Sequence, residues 1–407
     1  MTTVLILVVI YLSFISLGLP DSLLGSAWPA IYESLAVPLH YAGFISMIIA
    51  GGTVISSVGS ERIIRRWGTG LVTALSILMT ATALMGFSFS QHFLLLCLCA
   101  VPLGLGAGSV DAALNNYVAL HYKAKHMNWL HCFWGVGASL GPFIIAAFLI
   151  RLNSWHLGYR TIGIVQCFLV VILFVAVPLW RKDTAAGTER QKKSDGSLKI
   201  PALLHRAGVK EVLSAFFCYC TLEAITGLWG STYLVTVKNI PAQKAAQVIA
   251  LYFMGITIGR FIAGLASMRL NNRQMIRGGQ CLIAGGILLL IVPINGAALA
   301  VSGFFIIGLG CAPVFPSLLH ETPRNFGKEY AQAVMGIQMA SAYIGTTLMP
   351  PLFGRIAVST GFSLFPFFIG LVLLLKIFMV ERAYKKIDSA HRAAKNLVQS
   401  STNSIVK

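Results

Sequence analysis

Long apolar runs separated by short polar stretches dominate the pattern along the chain. A bilayer's hydrocarbon core is about 30 Å thick, so a helix needs ~20 mainly apolar residues to cross it. That ruler predicts twelve helices, over 3–27, 39–59, 70–89, 92–119, 128–150, 160–180, 211–235, 245–267, 276–294, 297–319, 331–353 and 362–381. In hydrocarbon, only helices and closed barrels satisfy every backbone polar group, and unalternating runs of this length are helical. The first run begins at the amino terminus. It is too long for a secretory apolar region and lacks a basic flank, which predicts a retained helix.

Composition points the same way. Charged residues are 11% of the 407 and apolar residues 57%, whereas soluble domains carry roughly 25% charged residues. So few charges cannot cover a water-exposed surface, which excludes a soluble enzyme or binding module. So apolar a chain cannot be disordered, and its 39 glycines follow no triplet period. A net charge of +18 would suit nucleic acid if the basic residues formed one face. They fall instead in short clusters between apolar runs, so the expected partner is a lipid bilayer and no nucleic acid is expected. Cys97, Cys99, Cys132, Cys167, Cys218, Cys220, Cys281 and Cys311 all lie in apolar runs without zinc-type partners, which predicts core packing thiols.

The clusters also set sidedness. Of the 31 Lys and Arg, 24 fall in segments that share a side with both termini, and five in the alternate loops: Arg151, Arg160, Lys238, Lys244 and Arg355. Arg260 and Lys376 lie within spans, near the ends on the terminus side. This bias predicts cytoplasmic termini and an inner-membrane, multi-pass protein. The polar stretch 181–210 is expected to be a cytoplasmic linker between a six-helix half, 1–180, and a second, 211–381, with 382–407 a basic cytoplasmic tail. Internal similarity supports the division. Gly104-Leu105-Gly106 recurs as Gly308-Leu309-Gly310, Val110 as Val314, Leu114 as Leu318 and Arg65 as Arg269. Gly137 and Pro142 recur as Gly345 and Pro350.

Three stretches carry a resemblance: Leu103-Gly-Leu-Gly-Ala-Gly-Ser-Val-Asp111, Leu130-His-Cys-Phe-Trp-Gly-Val-Gly-Ala-Ser-Leu-Gly-Pro142 and Phe253-Met-Gly-Ile-Thr-Ile-Gly-Arg260-Phe-Ile-Ala-Gly264. With Ile307-Gly-Leu-Gly-Cys-Ala-Pro-Val-Phe-Pro316, they resemble the fucose permease and bacterial glucose/mannose proton symporter group of the major facilitator superfamily. The resemblance implies an all-α membrane protein of twelve transmembrane helices in two six-helix repeats that transports by alternating access. It also implies a latch at the basic run Gly59-Ser-Glu-Arg-Ile-Ile-Arg-Arg66. There Glu61 stands in for the group's usual Asp beside Arg62, Arg65 and Arg66, and Arg260 joins a helix-end charge network.

Three acidic residues are expected well inside spans: Asp21, Asp111 and Glu223. A charge at mid-bilayer costs roughly 2.5–3.5 kcal/mol on insertion scales, so such residues are rarely incidental. With no Lys or Arg expected at that depth, burial favours the neutral acid, and such a group can load a proton on one side and release it on the other. Asp111, behind Gly104, Gly106 and Gly108, is the first candidate for proton coupling; its repeat partner is Phe315. The resembled group has an acid at this position and another in the first span, which adds Asp21. Helix capping at a kink near the outer end is the structural alternative for Pro20-Asp21-Ser22. Cys220-Thr-Leu-Glu-Ala resembles the seventh span of the same group, which implies that Glu223 hydrogen-bonds solute or gates the outer side, with a polar helix–helix contact as its alternative.

Neutral polar residues suggest the solute. Asn115 and Asn116 follow Asp111 by one turn, His131 and Trp134 lie a turn apart, Trp229 follows Glu223, and Gln338 is near Tyr343. Amides bind hydroxyls and aromatic rings cover the apolar face of a sugar. A carboxylate solute would call for an embedded Arg or Lys. The reading is a monomeric, proton-coupled symporter of a small neutral, sugar-like solute such as a hexose. The alternative is a proton antiporter exporting sugars, drugs or other small amphiphiles. No phosphate loop, H-E-x-x-H or G-x-S-x-G motif occurs, so neither a cofactor nor enzymatic chemistry is expected. Solute added outside loaded vesicles should alkalinise the medium for symport and acidify it for antiport. A receptor that keeps the fold would still bind solute after Asp111→Asn and show no counterflow.

Overall fold

The computed structural model describes residues 2–122, 124–184, 203–292 and 297–405, which are helical almost throughout. The first half comprises α1 (Thr2–Asp21), α2 (Leu23–Ser34), α3 (Tyr41–Trp67), α4 (Thr69–Phe89), α5 (Phe93–His121), α6 (Ala124–Leu152) and α7 (Trp155–Thr184). The second comprises α8 (Val209–Thr236), α9 (Ala242–Ala266), α10 (Asn272–Ile291), α11 (Ala297–Cys311), α12 (Val314–Phe326), α13 (Lys328–Thr360) and α14 (Phe365–Ile405). The stretch 185–202, most of the expected linker, lies outside the described residues.

Among the described residues, the fourteen helices named above make twelve crossings because two spans are broken. α1 and α2 form one apolar stretch, Leu5–Ser34, interrupted at Ser22. The Pro20 ring cannot donate a backbone hydrogen bond and strains the turn before it. α11 and α12 form a second, Ala298–Phe326, broken at Ala312 and Pro313. The expected limit at residue 27 was therefore short, and the kink lies near the middle of its span rather than at the outer end. Among the described residues eleven stretches are long and apolar enough to cross a membrane. α13 is the twelfth crossing, and Gln338, Ser341, Tyr343, Thr346 and Thr347 make it less apolar. α14 runs for 41 residues, so the expected tail prolongs the last helix.

The glycine repeat shows its meaning in the packing. A Cβ on Gly104 would collide with the Ile49 carbonyl of α3, and one on Gly308 with the Tyr252 carbonyl of α9. Gly106 backs onto Ser76 of α4, and Gly310 onto Gly279 of α10. Gly137 meets Ile15 of α1, and Gly345 meets Phe217 of α8. Each half therefore uses the same small residues at the same crossings, where helices associate by close approach rather than by apolar burial. Gly68 (φ +80°) and Gly327 (φ +85°) turn the chain between successive spans in a conformation that side chains disfavour.

The halves meet at a seam of small residues. Gly25 of α2 abuts the backbone of Gly227 and Leu228 in α8, and Gly43 of α3 abuts Pro351 of α13. The Ser231 hydroxyl donates to the Ser26 carbonyl at 3.4 Å. These contacts lie beside the loop at 35–40, at the end away from the termini. Along the rest of the molecule α6 and α9 pack together, whereas α5 makes no substantial contact with the second half, and Asn116 and His121 are exposed.

Overpacking such a seam costs roughly 1–3 kcal/mol. Gly25→Val is expected to lower the melting temperature and cut solute flux by roughly tenfold. Gly51→Ala, whose Cβ would meet nothing within 4 Å, should leave both near wild type. Melting and flux measurements on the two variants check this; equal behaviour would remove the seam from the mechanism.

Candidate functional site

The break between α1 and α2 leaves Asp21 at the last position of α1, where it faces the cleft between the halves. Its Oδ2 accepts a 2.7 Å hydrogen bond from Trp134 Nε1. One α1–α6 crossing sets this register, with Gly18 against the Trp134 carbonyl. Asp111 of α5 is half-buried, and its Oδ1 accepts from Asn115 Nδ2 at 2.9 Å, one helical turn on. Asp21 lies within electrostatic reach of Asp111, and so does Tyr343 of α13. The two acids expected to carry protons therefore lie within electrostatic reach of one another. Both are held by neutral donors, and neither makes an ion pair among the described residues.

Trp134 joins the halves. Its edge holds Asp21, and the Arg260 guanidinium of α9 lies over its face, 4.9 Å from the ring centroid. A cation over an indole contributes about 0.5–2 kcal/mol, most when desolvated. Arg260 Nη1 also donates to the His131 carbonyl at 3.2 Å, while the His131 ring packs edge-on against Phe14 and is exposed to the cleft. Arg260 was expected in a helix-end network. It belongs instead to this site, because α9 packs along α6 through Gly135 and Thr257. Glu223 of α8 is half-buried, its backbone carbonyl accepting from the Tyr252 hydroxyl at 3.4 Å.

Other expectations need correction. The Trp229 ring is wholly buried against Phe353 and Phe362, and its Nε1 donates to the Pro350 carbonyl at 2.8 Å. It is a packing residue, not a solute contact. Gln338 is also wholly buried, its Oε1 accepting from the Thr322 hydroxyl at 3.0 Å, so it braces α12 rather than facing the cleft. Asn116 is exposed, and five residues along a helix rotate it roughly 140° from Asp111, so only Asn115 shares that acid's face.

The inventory of buried charge also changes. Lys376 is wholly buried and lies over the Tyr219 ring. Arg260, over the Trp134 ring that holds Asp21, overturns the expectation of no cation beside the buried acids, so carboxylate solutes are not excluded on that ground. Glu211 and Glu321 are buried as well, toward the terminus-bearing end. The cysteines are not uniformly core residues: Cys167 and Cys281 are exposed. The side chains of Glu61 and Arg65 lie outside the described residues, while Arg62 and Arg66 are exposed and make no ion pair among the described residues. The helix-end ion pairs of the described residues belong to the second half. Arg273 grips Asp388 at 2.8 and 2.7 Å, Arg277 grips Glu381, and Glu211 accepts from Lys386 at 2.6 Å.

Membrane-length helices in two repeats, with carboxylates gathered at mid-depth where the repeats meet, define a multi-pass membrane transporter rather than an enzyme. The chain belongs to the Major Facilitator Superfamily, whose model matches residues 10–350. It is similar to the glucose/mannose transporter GlcP of Bacillus subtilis, 24% identical over 84% of this chain and 86% of that one. It is also similar to the probable sulfoacetate transporter SauU of Cupriavidus necator, 22% identical over 88% and 84%. A solved nucleoside transporter, NupG, shares the fold at a TM-score of 0.74 with 13% identity, covering 92% of this chain and 98% of that one. The names of these proteins cover chemically different solutes.

The two tryptophans should separate by function. Trp134→Phe removes the donor to Asp21 and is expected to cut transport by roughly tenfold while melting stays near wild type. Trp229→Phe removes the bond to Pro350, which costs about 1 kcal/mol of stability, with apparent solute affinity retained. Flux and melting measured on both variants check the assignment.

Proposed function

We propose that this transporter couples import of a neutral, sugar-like solute to protons, by alternating access of halves 1–180 and 211–381 about the Asp21–Asp111 site. The carrying observation is that both acids are held by neutral donors, Trp134 and Asn115. A carboxylate bound this way takes up a proton without breaking an ion pair, so protonation changes the charge of the site directly. With both acids neutral, the loaded site crosses the bilayer without a net carboxylate charge.

The solute class rests on chemistry and likeness together. Asn115, His131, Trp134 and Tyr343 supply amide, imidazole, indole and phenol groups to the cleft, the mixture that suits hydroxyls and the apolar face of a sugar ring. The glucose/mannose transporter supports the same class. Glu223 is the acid of the second half beside this set. The remaining parts of the reading are an inner-membrane location, cytoplasmic termini, a linker at 181–210 and a monomeric carrier.

The test uses purified protein in proteoliposomes with an imposed pH gradient. Wild type should accumulate glucose or mannose and alkalinise the medium. Asp111→Asn should lose gradient-driven accumulation by more than roughly tenfold and keep counterflow, because the amide mimics the protonated acid. Accumulation that survives Asp111→Asn across the pH range would overturn the coupling assignment. Flux of acidic solutes alone would overturn the sugar assignment.

A further inference from the structure

Beside Asp21 stands a cation whose hydrogen-bonding capacity is mostly unspent. Arg260 of α9 lies over the Trp134 face, 4.9 Å from the ring centroid, and its Nη1 donates to the His131 carbonyl at 3.2 Å. A guanidinium carries a fixed, planar fork of N–H donors and accepts nothing. Among the described residues that carbonyl is its one hydrogen-bond acceptor, and it makes no ion pair. Nε and Nη2 are not sealed inside the protein either, since neither is a buried donor without a partner. Both therefore reach the space beside Trp134 and His131, whose ring is exposed to the cleft. The buried Tyr219 and Tyr252 lie within electrostatic reach of the same guanidinium, which sets it against the bundle interior rather than against lipid.

A cation at this depth is costly to keep. A residue that served only to pin α9 to α6 would spend its fork on a protein acceptor, and here the Nε–Nη2 edge has none among the described residues. That edge presents two parallel N–H bonds, which match two oxygens side by side. In a neutral hexose, adjacent ring hydroxyls supply such a pair. A hydroxyl that accepts from the guanidinium keeps its own O–H to donate elsewhere. A lysine at the same place would offer a point charge without the fork.

Resting on the sugar-import reading above, we propose that Arg260 selects the solute, its Nε–Nη2 edge donating to two adjacent hydroxyls of the hexose. Trp134 positions both sides of this arrangement: its edge holds Asp21 and its face carries the guanidinium. Specificity then falls on one pair of neighbouring ring positions. A sugar that lacks either hydroxyl is disfavoured because it leaves a charged donor bare.

The test measures exchange of glucose and its monodeoxy analogues in proteoliposomes, for wild type and Arg260→Lys. In wild type, two analogues, each lacking one of two neighbouring ring hydroxyls, are expected to show KM values roughly ten- to a hundredfold above that of glucose. Arg260→Lys keeps the charge and loses the fork, so its KM for glucose rises toward theirs with kcat near wild type. The variant penalises those two analogues much less than glucose, because part of the contact is already missing there. A uniform loss across glucose and every analogue would mark Arg260 as a pin between α6 and α9 and overturn the proposal. If Arg260→Lys does not fold, the wild-type series still decides, since the absence of a neighbouring pair of sensitive positions overturns it. Wild type that exchanges hexuronates but no neutral hexose would instead overturn the neutral-sugar reading itself, and the proposal with it.

Discussion

Charge in hydrocarbon needs company, and the way this chain meets that need organises the molecule. Asp21 is held by an indole N–H, Asp111 by a carboxamide, and Arg260 by an aromatic face and a carbonyl. None of these arrangements is a salt bridge, so each charge is tolerated without being neutralised. A salt bridge would have fixed the charges of the site permanently. Neutral partners leave them free to change, and the surrounding helices are spaced by glycines so that the partners come within hydrogen-bond distance.

Trp134 is where these constraints meet. One side chain donates from its edge to the first half and offers its face to the second. Its position follows from the backbone contact of Gly18 with Trp134 itself and of Gly137 with Ile15. A larger residue at either glycine would push α1 off α6 and take Asp21 out of reach of the indole. Packing and electrostatics are therefore one design element here.

Much of the fold was legible in the sequence because hydrocarbon imposes a fixed length and forbids most charge. Eleven of the twelve expected runs stand out by apolar length. α13 was recognisable although its cleft-facing Tyr343 and buried Gln338 dilute its hydropathy. Asp21 and Asp111 stand out as acids in apolar runs, and the hydrogen bond of Asn115 to Asp111 follows from residues four apart sharing a helix face. Trp229 and Gln338 could not be sorted the same way, since a tryptophan or glutamine in a span reads alike whether it faces solute or its own bundle. The charged residues from Glu381 onward end the last apolar run, and their pairing with α8 and α10, which the sequence does not reveal, lets the helix continue beyond it.

That continuation gives the two halves different mechanical properties. α14 runs on past the bilayer as a splint, fastened through Arg382 and Lys386 to Glu211 of α8 and through Glu381 and Asp388 to the arginines of α10. The described side chains of the first half show no comparable brace. Under the proposed alternating access, the unsplinted half is the one left free to bend, and the interruption at Ser22 lies one residue from Asp21.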